Sequence, residues 1–511
     1  MFYIFHRLGL QSNIIITANY HTPTRQTITR PLAIAALRTV VHRQPALLCV
    51  YPRRPSKNKG NFQLHRALLR KVDLSRCIEF LDEKEYGARI GPEVLEKLHN
   101  TWDWQRDEDT DRPWFKVVIA GGTDVAVVLH HGVGDGVSGA VFHREFLAAL
   151  NSICDAQTPS KELEAASAQV VSLDPTTTIL PVDPLTISDA KPVLARPLWT
   201  TLVCILLPLL LPWLVALTDL PSPAKPPASL SAVGDVSLRT VTSISTYRIS
   251  SATMDKILKS CRAHKTTFTP LFIVMLTATL ATDYYPKAIW GASRYSTQLR
   301  PWLDLKKLGG STPAGVVANC AGGTQFMERL QPYRRILVTE SDQSRSRINA
   351  EVAWDLVRNY RKCLPPDYGP HLLRQWKGGN RMGDDLDNQM ATTFPIFRAF
   401  TPTCLVSNMG PFSVAMEGES LEDIKPRTWT IDDMQFSAGP TNGRVGSNGP
   451  LFSIAGVRGG DTVINAGFQE SVIPRARVED MLNKVVEKIL ALVDCDDIAS
   501  LRGPDATDVM E

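Results

Sequence analysis

The chain has 511 residues, 44% of them hydrophobic and 21% charged, an ordinary globular balance on a length that exceeds one core and suits two domains of roughly 200 residues each. A formal net charge of +4 is mild, and with no interleaved basic and aromatic patch it argues against nucleic acid as a partner. Nine cysteines without a C-x-x-C pair or a zinc-type spacing point to isolated thiols in a reducing compartment, neither a disulfide framework nor a metal site.

In chain order, the first twenty residues carry His6 and Arg7 inside an apolar run and lack a small-residue cleavage site, so no signal peptide is expected. The basic run from Arg53 to Lys59 reads as a solvated loop. Trp114 to Ile119 and Asp124 to Leu129 are rich in β-branched residues and flank Ala120-Gly121-Gly122-Thr123, which predicts a hairpin. Val141, Phe142, Phe146, Leu147 and Leu150 then recur at helical spacing. Asp155 to Ala190 is polar and reads as an irregular loop, as does Asn380 to Asn388.

Pro197 to Thr218 carries no charge and is long enough to span a bilayer, but Pro208 and Pro212 interrupt it. Three readings stay open: a membrane-surface hairpin, a spanning helix, or a crossover packed inside the protein. Pro221 to Ala232 reads as a linker. Thr269-Pro270 looks like the cap and first turn of a helix running to about Thr282. An amphipathic helix from Val478 to Leu492 closes the chain. The organisation expected is a first lobe over residues 1–195, an apolar crossover and linker over 196–235, and a second lobe over 236–511.

The chemistry concentrates in His130-His131-Gly132-Val133-Gly134-Asp135-Gly136, which follows the second hairpin strand. Histidine is the natural general base near neutral pH. Neighbouring residues leaving a strand face opposite sides, so one histidine serves the reaction and the other the scaffold. Gly134 and Gly136 permit a tight turn that swings Asp135 beneath the ring or toward a cation. His264 reads as a surface or core histidine. Cys261, although flanked by Lys259, Arg262 and Lys265, has no partnering base.

This HHxxxDG string resembles that of the CoA-dependent acyltransferase superfamily, and within it the fungal alcohol O-acetyltransferases. Related groups are condensation domains of nonribosomal peptide synthetases, plant BAHD acyltransferases and chloramphenicol acetyltransferase. The resemblance continues along the chain in the family's order. His6 to Gly9 with Asn13 to Tyr20 resembles its opening strand, Leu32 to Pro45 its first helix, and Pro113 to Lys116 the strand before the motif. Cys261 to His264 with Thr267 to Pro270 is similar to the entry into the first long helix of the second half. Gln298-Leu299-Arg300-Pro301-Trp302 resembles its xlRPw segment and Val406 to Gly410 its SNxG strand. Two departures stand out. The chain begins almost inside the family's first strand, which reads as a shortened start, and it has no Asp-Phe-Gly-Trp-Gly string of the plant branch.

What the resemblance implies is an α/β (α+β), two-lobed, chloramphenicol acetyltransferase-like fold with mixed sheets flanked by helices and an active site at the lobe interface. It implies an O-acyltransferase acting with acetyl-CoA or another acyl-CoA as co-substrate and no permanently bound cofactor or metal. The acceptor would be the hydroxyl of a hydrophobic small molecule such as a fungal secondary metabolite or alcohol. His131 would be the base and His130 scaffold. Asp135 would pair with Arg300, or failing that Arg294, and Gly136 would complete the turn. Ser407 and Asn408 would donate to the oxyanion, although a strand-end turn explains them equally well. A monomer in the cytoplasm is expected, or at an endoplasmic reticulum or lipid-droplet surface should Pro197 to Thr218 bind membrane. Two other readings remain: a condensation enzyme drawing on a carrier protein, and a non-catalytic, membrane-associated metabolite binder.

Overall fold

The computed structural model describes residues 2–7, 9–55, 62–104, 110–156, 169–174, 178, 239–304, 315–339, 346–364, 370, 372–374, 404–413, 428–441 and 449–501. Pro197 to Thr218, the linker from Pro221 to Ala232, and Asn380 to Asn388 lie outside the described residues. Among the described residues no single helix is long and apolar enough to cross a membrane.

Two large mixed sheets carry the architecture. The first contains β1 (Ile14–His21), β2 (Ile78–Phe80), β3 (Phe115–Ala120) and β4 (Asp124–Leu129). The predicted hairpin is β3–β4, and its burial on both faces matches its nearly unbroken apolar sequence. Its three-residue connection, Gly121 to Thr123 between the paired Ala120 and Asp124, uses the backbone freedom of Gly121 and Gly122, at φ 55° and 67°. A Cβ on Gly121 would also come within 2.7 Å of the Ala88 carbonyl.

The second sheet contains β5 (Ser243–Ile249), β6 (Trp290–Gln298), β7 (Ala321–Arg329), β8 (Cys404–Phe412), β10 (Leu451–Val457) and β11 (Thr462–Phe468), in the order β5-β11-β10-β8-β6-β7. The intervening strand β9 (Thr430–Ala438) instead leaves the second half and pairs antiparallel with β1, giving the first sheet the order β9-β1-β4-β3-β2. Residues far beyond the expected linker therefore build the first lobe's sheet.

Helices cover the sheets: α1 (Phe2–Arg7), α2 (Arg30–Arg43), α3 (Pro92–Asn100) and α4 (Gly136–Asp155) on the first, and α5 (Ser251–Ala263), α6 (Phe268–Thr279), α7 (Ala350–Cys363) and α8 (Arg475–Leu501) on the second. The first core gathers α2, α4 and one face of β1, β3 and β4. The second packs α6, α7 and α8 against β8, β10 and β11. Helices on mixed sheets in an α+β arrangement are what the sequence predicts.

Two local expectations are corrected. The helix assigned to a Thr269-Pro270 start begins at Phe268 with Thr267 as its cap residue, because Pro270 fits anywhere in the first turn, where no backbone donor is needed. Within the stretch expected to be irregular, Val170 to Ser172 form a strand paired with Lys71 to Asp73, anchored by the burial of Val171.

Candidate active site

The two histidines leave the end of β4 in opposite senses. His130 is fully buried against Trp114, at 4.6 Å between ring centroids, and against His6, at 4.5 Å. Its Nδ1 accepts from the Gly132 amide at 2.8 Å, which places the proton on Nε2, where it has no partner among the described residues. Burial, reinforced by the neighbouring imidazoles, holds its pKa well below the usual value, so it stays neutral. These are the properties of a scaffold residue.

His131 is half-buried. Its Nδ1 lies 3.2 Å from the Gly134 carbonyl, and since a carbonyl only accepts, Nδ1 carries the proton. The Nε2 lone pair is therefore the free one. The two adjacent rings thus hold opposite tautomers, each set by a backbone group of the same turn. Desolvation lowers the His131 pKa, with the Asp135 carboxylate opposing it, so the ring is unprotonated at neutral pH. The ring of Phe2, from α1, stacks on that of His131 at 3.7 Å and 17°.

Asp135 faces away from the base. Its Oδ1 caps α4, accepting from the Ser138 amide and hydroxyl, both at 2.9 Å, and the Ser138 hydroxyl in turn accepts from the Asp135 amide to complete a capping box. Its Oδ2 accepts from Arg300 Nη1 at 2.8 Å and from the Cys320 amide at 2.9 Å. Burial alone would raise this carboxyl, but Arg300 and the amide donors more than offset it and hold it below its ordinary value. Gly136 is held tightly too, since a Cβ there would lie 2.9 Å from the sulfur of Met409.

The second lobe reaches the motif through residues 315–320. Arg300 Nη2 donates to the carbonyls of Val316 and Ala318, and the Ala318 amide donates to the Ser138 hydroxyl. Gln44 bonds both Gly315 and Val317. Asn319 donates its amide to the His131 carbonyl and stands 3.5 Å from His131 Nδ1. Sequence reasoning missed Asn319, Ser138, Gln44 and Phe2. Ser138 had a signal, being placed three residues after a capping aspartate; the others are brought in by tertiary contacts alone.

His130, His131, Asp135, Gly136 and Arg300 are thus gathered in one place. Ser407 and Asn408 lie on β8, next to Met409, which touches Gly136. Asn408 is engaged locally: its amide donates to the Thr269 hydroxyl at 2.9 Å and its carbonyl accepts from Gly410 at 2.8 Å, which is the strand-end turn that also explains this pair. Arg294, the second choice for Asp135, is elsewhere on β6. No cluster of three or more histidine, cysteine or carboxylate side chains suited to a metal is present among the described residues.

No family model matches the chain. Over 209 residues it is 29% identical to a probable alcohol acetyltransferase, crmB, of Aspergillus fumigatus, a match that takes in 37% of this chain and 42% of the relative. The chain thus spans about two fifths of the length of that curated relative. In structure it is similar to the trichothecene 15-O-acetyltransferase of Fusarium sporotrichioides, at 12% identity and a TM-score of 0.59, covering 96% of this chain and 94% of that one. It is also similar to polyketide synthase associated protein 5 of Mycobacterium tuberculosis (12%, TM-score 0.52, 96% of each chain) and to the condensation enzyme VibH (12%, TM-score 0.50, 97% of this chain and 94% of that one). The chain has the two-lobed fold shared by these acetyltransferases and condensation enzymes, as the sequence motifs imply.

Proposed function

We propose that the chain is an acyl-CoA-dependent O-acyltransferase, with acetyl-CoA as donor and the hydroxyl of a hydrophobic small molecule as acceptor. The observation that carries the reading is the His131 ring, unprotonated at neutral pH and committed through Nδ1 to Gly134, so that Nε2 is the basic atom. His131 Nε2 takes the hydroxyl proton as the alcohol oxygen bonds to the thioester carbonyl carbon. The tetrahedral oxyanion then collapses, the carbon–sulfur bond breaks, and the imidazolium returns its proton to the departing thiolate. The products are the ester and CoA, and no covalent acyl-enzyme is needed. Ser407, on the face of β8 that also carries Met409 against Gly136, is the donor proposed for the oxyanion, while Asn408 on the other face holds the strand end through Thr269 and Gly410. Asp135 takes no part in the proton transfer; with Arg300 it holds the turn that aims His131.

The test is thiol release from acetyl-CoA with a panel of aliphatic and polycyclic alcohols. Turnover by the wild-type chain and its loss in His131→Ala supports the reading. Equal rates in both would leave a non-catalytic binder, and release only from a carrier-bound thioester would favour condensation chemistry.

A further inference from the structure

Pairing of Arg300 with Asp135 leaves the other arginine of the region, Arg294, without a counterion among the described residues. Arg294 is partly sheltered on β6, and among the described residues no carboxylate or carbonyl hydrogen-bonds it. Burial depresses its pKa with no compensating charge. An unpaired, desolvated guanidinium costs folding free energy, so a sequence gains nothing structural by keeping one.

Its direction is set by the strand register. On β6, Ser293 bonds Tyr360 of α7 and so faces the helices of the second core. Arg294 faces the opposite way, as does its parallel partner Leu405, which packs on the first lobe's core. Two and four residues beyond Leu405 on that face come Ser407 and then Met409, which touches Gly136. The guanidinium does not rise straight from the sheet but lies over Gly323, whose missing Cβ would meet Nε at 2.9 Å. Gly323 is the register partner of Ser296, so the charge is carried two residues along β6 toward Arg300. Ser296 is half-buried there, and its hydroxyl makes no hydrogen bond among the described residues. From Ser296 the strand runs on only to Gln298, two residues before Arg300.

We propose that Arg294, with Ser296 beside it and Gly323 clearing its path, is an oxyanion-binding subsite in the cleft between the lobes, receiving a phosphate or carboxylate carried by one of the two ligands. The inference rests on the reading that this cleft holds a thioester and an alcohol, and two sources share the chemistry: the phosphates of the thioester's carrier, or a carboxylate on the acceptor.

Calorimetric titration of the full chain separates them without turnover. Coenzyme A is compared with pantetheine, which lacks phosphate, and 6-hydroxyhexanoate with its methyl ester, each against the wild-type chain, Arg294→Gln, Arg294→Lys and Gly323→Ala. The subsite predicts that one anionic probe, and not its neutral counterpart, loses about tenfold or more in affinity in Arg294→Gln. Partial recovery is expected in Arg294→Lys, and weakening in Gly323→Ala, where the guanidinium is displaced. Loss confined to coenzyme A assigns the phosphate; loss confined to the hydroxy acid assigns the acceptor. The midpoint of thermal unfolding should not fall in Arg294→Gln, since an unpaired charge is removed. Affinities within twofold across all four proteins overturn the subsite while leaving His131-dependent turnover untouched. Arg294-dependent binding in a chain without turnover would instead retain the subsite and remove the catalytic reading.

Discussion

The guanidinium of Arg300 lies 2.8 Å from the carboxylate of Asp135, from which it is 165 residues distant in sequence, and both side chains are almost fully sheltered, at 10% and 4% exposure. The pair joins the second lobe to the first turn of α4 and so to the loop carrying His131. Breaking one side of a buried pair leaves the other charge stranded, at a cost of about 3–5 kcal/mol. Arg300→Met and Asp135→Asn should each lower the unfolding free energy, measured by denaturant titration, by an amount in that range, and the double variant should lose less than the sum of the two. Additive losses would show that the two groups do not depend on one another.

Loss of the base should be far more severe for rate than for stability. His131→Ala is expected to reduce turnover by about a hundred- to ten-thousandfold. Because burial holds the pKa of this imidazole in the free protein below 6.5, more than half of the base is unprotonated at pH 6.5, and the acidic limb of kcat/KM should have its midpoint below that value. A limb above pH 6.5 in the wild-type profile would contradict the desolvated site.

Phe2 supplies part of that desolvation by lying flat on the ring at 3.7 Å. Phe2→Ala should remove a stacking contact worth about 0.5–1.5 kcal/mol and admit water, moving the acidic limb up toward the ordinary imidazole value. Phe2→Tyr should leave the limb in place. The decisive measurement is the pH–rate profile of the three proteins, and a limb that does not move in Phe2→Ala would refute the assignment.

Acid should unfold this chain early. His6 and His99 are held at about 3 and His143 at about 4, all by burial, with His99 bridging Ser12 and Ser437 and His143 bridging Tyr20 and Ile16. The unfolded chain binds these protons below about 6.5 and the folded chain does not, so stability is full above 6.5 and falls as pH drops toward 4, at about 1.4 kcal/mol per pH unit for each histidine. Asp124 runs the other way: raised to about 6 by burial, it penalises the folded state above that pH and relaxes below it. The histidines outnumber it, so the melting temperature should drop between pH 7 and pH 4.5. His143→Gln should flatten the slope by about one proton. A flat profile would mean that these rings reach solvent.

The chain order of elements, the β3–β4 hairpin and the helix that opens at Gly136 are written locally, in β-branched runs, glycines and a capping aspartate three residues before a serine. These features depend on neighbours within a few positions, and so does the pair of opposed histidines. The sequence alone also carried the two-lobed fold through motifs spread along its length. Other features depend on distant partners. β9 leaves the second half to complete the first sheet, Arg300 rather than Arg294 reaches Asp135, and Asn319 and Phe2 arrive at His131 from other elements. None of these has a local signature, because each is decided by which side chains the closing of two sheets brings within about 4 Å, a competition between charges and rings that only the packed molecule resolves. Among the described residues, that same competition leaves Arg294 without a carboxylate or carbonyl partner.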